Sequence, residues 1–340
     1  MTTHMRREIE EIPAATGRLL AQSGGAIKAA AGALETLDPR VVITVARGSS
    51  DHAATFFKYA CEMTTGVPVA SVGPSVAAIY GAQLRLKGAA CVAFSQSGQS
   101  PDIVAMAASA TAEGAASIAI TNKPGAPLAE ACDHTIAMNS GVETSVAATK
   151  TFVASAVAGL ALLAHWTRDT ALIGALEALP EHFEAALTQD WSALAAALDG
   201  QDSMFVLGRG PSYAMALEAA LKFKETCQIH AQAYSSAEVL HGPVSVVGQG
   251  FPALALASRD ASEPGIVEVS EALAKGGADV FVTSAGAVHA RRLGFAPTGH
   301  PLTDPLALIV SFYAFVEALA RARGINPDAP RNLKKVTETV

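Results

Sequence analysis

Residues that move protons crowd into one stretch of this chain, LEAALKFKETCQIHAQAYSSAEVLHGP (217–243). Gly210 and Pro211 give a turn with proline at the first helical position, and the residues that follow are strong helix formers. Leu217 and Leu221 share one stripe of that helix, and the next position along it is Glu225. A carboxylate therefore extends the apolar face. Lys222 stands three residues before Glu225 and four after Glu218, so it can reach either acid. Burial and a neighbouring lysine pull a carboxylate's proton affinity in opposite directions, which is how such a group is tuned for proton transfer near neutral pH. A salt bridge on a helix surface uses the same spacing. His241 favours the chemical reading: Gly242 and Pro243 end the local structure and leave the imidazole at a loop edge.

A second kind of chemistry sits on loops of the first half. SQSGQS (95–100) lies between an apolar strand pattern and a helix pattern, so backbone N–H groups of the helix start point outward with partial positive charge. Its serine hydroxyls and glutamine amides add neutral donors, and RGSS (47–50) ends a neighbouring strand in the same way. Such donors suit a phosphate monoester and sugar hydroxyls. Serine and glycine are also ordinary turn chemistry, but two such loops in one sheet favour a phosphate site. Neither GxGxxG nor GxxxxGK[ST] is present, which removes the best support for dinucleotides and nucleoside triphosphates. The nine histidines form no HExxH, and there is no GxSxG elbow. No metal and no organic cofactor is expected.

The elements that must carry these residues alternate. VVITVA (41–46), a helix to about residue 64, strands at 67–72, 91–95, 117–121 and 134–138, and a long helix over 143–165 make a parallel α/β unit. Ser100 is placed as the N-cap of the helix that opens at Pro101. Residues 168–200 carry no strand pattern and read as two connecting helices broken at Pro180. The plan then restarts: SMFVLGRGPSY repeats VVITVARGSSDHAATFF, PALALAS (252–258) takes the place of CVAFSQS, ADVFVTS (278–284) is the next strand, and 304–323 is a final long helix. The fold class is α/β, with two tandem doubly wound parallel sheets from an internal duplication. The divisions expected are an N-terminal helical segment (1–35) polar enough to lie on a surface or wrap a partner, a first domain (36–166), a helical connector (167–200), a second domain (201–325) and a tail (326–340).

Composition sets the outer bounds. The chain has 340 residues, half of them hydrophobic and 16% charged, with a net charge of −7. A mildly acidic protein without a basic run is a poor candidate for nucleic acid or an anionic membrane. The longest apolar run, 152–164, is too short to span a bilayer. Four cysteines without CxxC spacing, and a charged N-terminus unlike a signal peptide, point to a cytoplasmic protein.

RGSS, SQSGQS, ETSVAATKTF (143–152), LGRG, ALKFKE, AYSSAEVLHGP and PRNLKK run in this order, and with them the chain resembles sugar isomerase (SIS) domain proteins over nearly everything after residue 40. It is most similar to the isomerase half of glucosamine-6-phosphate synthases, and MRREIEEIP resembles the start of stand-alone members, among them the SIS-type glucosamine-6-phosphate deaminases. The resemblance implies that the first SIS domain holds the sugar phosphate. Ser95, Gln96, Ser97 and Ser100 would bind it, Ser49 and Ser50 would lie near the sugar, and Val146 and Ala147 would contribute backbone. Glu225 matches the base that moves a proton between C1 and C2, and Lys222 its substrate-contacting neighbour. His241 matches the ring-opening histidine, which in this family comes from the other subunit of a homodimer. Lys335 matches the tail lysine that reaches the open-chain sugar.

Two departures from the family pattern matter. Val146-Ala147-Ala148 stands where the family has VAS, so one hydroxyl contact is missing. The chain also begins MTTH, without a glutaminase domain's cysteine nucleophile, so deamination of glucosamine 6-phosphate to fructose 6-phosphate and ammonia is the expected net direction. A fructosamine-6-phosphate deglycase or an aldose–ketose isomerase would use the same base. A non-catalytic sugar-phosphate sensor is the rival from another class. Glu225, Lys222, His241 and Lys335 argue against it, as does the lack of a basic helix-turn-helix extension.

Overall fold

A computed structural model describes residues 2–335, which form two compact units. The leading unit comprises 11–143, 148–177 and 334–335; the trailing unit comprises 2–10, 144–147 and 178–333. The last five residues of the expected tail lie outside the described residues. The first helix, α1 (His4–Glu10), belongs to the trailing unit. The leading unit then runs α2 (Ile12–Leu37), β1 (Val42–Val45), α3 (Ser49–Thr65), β2 (Val69–Ser71), α4 (Ser75–Ala78), β3 (Ala90–Ser95), α5 (Pro101–Ala112), β4 (Ala116–Thr121), α6 (Pro127–Glu130), β5 (His134–Ala137), α7 (Lys150–Trp166) and α8 (Thr170–Glu177).

All five strands of the leading sheet are parallel, in the order β2-β1-β3-β4-β5. Every residue of β3 is buried, as expected of a central strand covered on both faces. The 26-residue α2 does not simply lie on the surface. It sets Leu19, Ile27 and Leu34 into the core and packs on α7 and β5. The long helix expected from residue 143 starts only at Lys150. Its physical cause is Glu143, whose buried carboxylate accepts the N–H groups of Thr149 and Thr151 at 3.0 and 3.1 Å. Those orphan donors of the first turn are thereby satisfied from outside the helix.

In the trailing unit the chain resumes with α9 (Leu179–Leu187), α10 (Ser192–Ala197), β6 (Ser203–Gly208), α11 (Pro211–Cys227), β7 (His230–Ser235), β8 (Pro252–Ala255), α12 (Glu263–Lys275), β9 (Asp279–Val282), β10 (Arg291–Arg292) and α13 (Asp304–Ala322). Three short helices, α8 to α10, therefore replace the two expected between the sheets; the extra break precedes α10, where Asp190 accepts the Ser192 N–H at 2.9 Å. The trailing sheet is parallel with order β10-β9-β8-β6-β7, the leading order repeated strand for strand. Equivalence extends to the backbone: Gly48 (φ 56, ψ −133) and Gly210 (φ 59, ψ −136) make the same turn between first strand and first helix. Such a positive φ favours glycine. Among the described residues, α13 alone is long and apolar enough to cross a membrane, and 83% of its apolar window is buried in the protein. It packs against α11, with the Phe223 and Phe312 rings 5.1 Å apart.

Candidate active site

An open parallel sheet of order 2-1-3-4-5 binds ligands beyond the carboxyl ends of its strands, where the strand order reverses. In the leading unit that point lies between β1 and β3, the two strands that end in RGSS and SQSGQS. Arg47 ties the loops together, its Nε 2.7 Å from the Oδ2 of Asp102, a buried residue in the first turn of α5. Gly98 shapes the second loop with φ 62; a Cβ there would meet the Ala126 Cβ at 2.7 Å. The Ser95 hydroxyl accepts the Gly98 N–H at 3.1 Å, and the Ser97 hydroxyl accepts that of Gln99 at 3.3 Å. Ser100 occupies the N-cap of α5 as expected, yet its hydroxyl makes no cap bond. Ser49 and Ser50 open α3, half-buried.

A cavity of about 620 Å³ adjoins this loop, lined among others by Gln96, Ser97, Arg18, Lys123, Glu143 and Lys335. Lys335 Nζ lies 2.8 Å from Glu143 Oε2. Glu143 is fully buried, and burial alone would push its carboxyl up. The charge and hydrogen bond of Lys335, with bonds from Thr151 and Thr149, overcome that and hold it below the usual carboxylate range.

The proton-transfer candidates lie in the trailing unit, on α11 and the loop after β7. Lys222 Nζ is 2.5 Å from Glu225 Oε2 and 3.2 Å from Glu218 Oε1, so it reaches both acids the spacing allowed. The side chains of Glu218 and Lys222 are wholly buried, while that of Glu225 is 18% exposed. This corrects the expected stripe: Leu217, Leu221 and Glu225 are only half-buried, and the fully buried face of α11 carries the ion pair. Burial disfavours the Lys222 ammonium, but Glu218 and Glu225 outweigh it and hold its pKa above the ordinary lysine value. The Tyr313 hydroxyl of α13 donates to Glu218 at 3.0 Å, completing a line Tyr313, Glu218, Lys222, Glu225. One cation between two carboxylates leaves the outermost as the group that meets solvent, with acceptor capacity to spare. His241 follows a 3₁₀ turn (Glu238–Leu240) and is exposed, as its glycine and proline neighbours imply.

Val146 and Ala147 also lie in the trailing unit, beside Thr144 and Ser145, whose backbone N–H groups are accepted by the buried carboxylate of Glu8 on α1. Three contacts thus escaped the sequence: Glu8 to residues 144–145, Tyr313 to Glu218, and Glu143 to Lys335. The only available signal was an acid at the head of ETSVAATKTF, ahead of a helix start.

Two parallel sheets of identical strand order, one ending in a hydroxyl-rich loop and the other carrying a buried acid–lysine line, define a tandem α/β protein of the sugar-isomerase type. The chain belongs to the SIS domain family, which matches residues 37–165 and 197–294. It is 34% identical over 357 residues to the glutamine–fructose-6-phosphate aminotransferase (isomerizing) of Symbiobacterium thermophilum, aligning 97% of this chain with 58% of that protein. The chain thus spans little more than half the length of that relative. A crystal structure of a candidate phosphosugar isomerase from Silicibacter pomeroyi DSS-3 shares 55% identity with a TM-score of 0.94, covering 96% of this chain and 100% of that one. The glucosamine-6-phosphate deaminase of Thermotoga maritima, 19% identical with a TM-score of 0.79 over 99% of this chain and 100% of its own, shares the fold.

Proposed function

We propose that this SIS-family chain catalyses the deaminating isomerisation of glucosamine 6-phosphate. The observation that carries the reading is the buried Lys222 held between Glu218 and Glu225, with only Glu225 reaching solvent. A carboxylate fixed from behind by an ammonium is oriented to accept a proton from bound substrate. The sugar phosphate is held by Ser95, Gln96, Ser97 and Ser100 at the start of α5, with Ser49 and Ser50 beside the sugar and the backbone of Val146 and Ala147 completing the contacts. His241 assists opening of the pyranose. Glu225 takes the C2 proton and returns it to C1, which leaves an imine at C2. Lys335 faces the oxygens on which charge gathers, while Lys222 holds Glu225 in place from behind. Water then adds to the imine and ammonia departs, giving fructose 6-phosphate. Acid–base transfer of this kind supplies about 10²–10⁴-fold, and positioning through the phosphate supplies more.

A fructosamine 6-phosphate with a substituted nitrogen is the second reading. It is favoured by the size of the cavity at the phosphate loop, about 620 Å³ and lined by Arg18 and Lys123 as well as Lys335. Ammonia release measured across a panel of amino-sugar and fructosamine 6-phosphates tests both. Turnover of glucosamine 6-phosphate with stoichiometric ammonia supports the deaminase. Amine release from N-substituted fructosamines alone favours the deglycase, and release from none of them removes both.

A further inference from the structure

Glu143 is a wholly buried carboxylate on the wall of the leading unit's cavity. Its carboxylate accepts four well-formed hydrogen bonds. Oε1 accepts the N–H groups of Thr149 at 3.0 Å and Thr151 at 3.1 Å; Oε2 accepts the Thr151 hydroxyl at 2.6 Å and Lys335 Nζ at 2.8 Å. Three of these donors belong to the first turn of α7 or the residue before it, so both oxygens are pinned by a rigid element. Lys335 keeps a quarter of its side chain exposed. The acid is therefore the anchor and the lysine is what it anchors. A helix start needs no such arrangement, because a serine, threonine or aspartate at the adjacent position satisfies the same N–H groups.

The charges around the cavity show what the anchor achieves. Arg18, Lys123 and Lys335 line it, and among the described residues Glu143 is its only acidic lining residue. Arg18 is turned toward backbone carbonyls, with Nε 3.3 Å from Asn139 O and an Nη 3.4 Å from Ser140 O, and Lys123 is exposed. A phosphate dianion at the loop attracts every cation within reach, and a lysine stem is long and flexible. We propose that Glu143 is a positioning residue that seats the Lys335 ammonium and withholds it from the substrate phosphate, so that it serves the reacting end of the sugar. The inference rests on the reading that Lys335 contacts the open-chain substrate.

The test uses the full chain with the substrate found above. Glu143→Gln keeps the acceptor oxygen for α7 and removes the charge that holds Lys335. The expected result is a kcat lowered roughly 10- to 100-fold, the scale of an ångström's misplacement, with KM unchanged or lower because the released lysine joins the phosphate. Mere loosening of the fold raises KM instead. Lys335→Ala lowers kcat as well, and the double variant is no slower than Lys335→Ala alone. Glu143→Asp, which retains the charge but draws it back by one methylene, carries the same test should Glu143→Gln not fold. An unchanged kcat, a rise in KM at unaltered kcat, or losses that multiply in the double variant would overturn the inference. Full turnover by Lys335→Ala overturns it alone, whereas full turnover by Glu225→Gln overturns the proposed reaction.

Discussion

A single ammonium decides how the acids of α11 behave. Lys222 is wholly buried, and its two carboxylate partners are what make burial tolerable. Lys222→Met therefore strands Glu218 in the core and is expected to cost about 3–5 kcal/mol, the usual penalty for breaking a buried pair from one side. Chemical denaturation at neutral pH measures it. The pH dependence has a definite sign. The folded-state pKa of Lys222 lies above 10.5, so its stabilising contribution is complete below that value and is lost as pH rises through the folded pKa. The Met variant lacks that alkaline component of instability. Glu225→Gln addresses catalysis instead: shape and hydrogen bonding persist while proton-accepting ability is gone. Turnover should collapse with KM little changed, and retention of more than a few per cent of activity places the base elsewhere.

At the scale of elements, the loop from β3 to α5 concentrates the argument. Ser97 lines the cavity and its hydroxyl makes a long turn contact of 3.3 Å with Gln99. If that hydroxyl also binds phosphate, Ser97→Ala raises KM by the value of one hydrogen bond to a charged group, about 1.5–3 kcal/mol, while thermal stability falls only by a cap-sized increment of about 1 kcal/mol. A large stability loss with unchanged KM returns the loop to simple turn chemistry. This loop was legible because its signals are local: a buried apolar strand, glycine at a positive φ, and proline opening the helix. The same holds for Lys222 and Glu225, which are three residues apart. Elements defined by distant partners stayed hidden. β7 alternates small buried alanines with exposed His230 and Gln232, a weak apolar signal, and β10 is two arginines recognisable only by their pairing with β9. The start of α7 depends on Glu143, and the pairing of Glu143 with Lys335 spans 192 positions. No periodicity encodes such a contact.

For the whole molecule, the proposed reaction makes a quaternary prediction. If His241 is donated across a homodimer, neither a Glu225→Gln nor a His241→Asn dimer has a complete site. Subunit exchange between them makes mixed dimers with one site doubly damaged and one intact. Random pairing then restores activity to about a quarter of wild type. No recovery despite demonstrated exchange confines the two residues to one chain. The division of the sequence has a different consequence, one of timing. Nearly all of the leading unit is contained in residues 11–177, whereas the trailing unit claims α1 at one end and most of the chain after 178. Domains fold as they emerge from the ribosome, N-terminal first. The leading sheet can therefore close while the trailing strands are still being made, and α1, synthesised before everything it packs with, must wait. Lys335 comes at the other extreme, since it reaches Glu143 only after the whole of residues 144–334 has been made. The cavity is thus built early and receives its ammonium late, so a chain cut just before residue 335 would keep the pocket and lack the lysine.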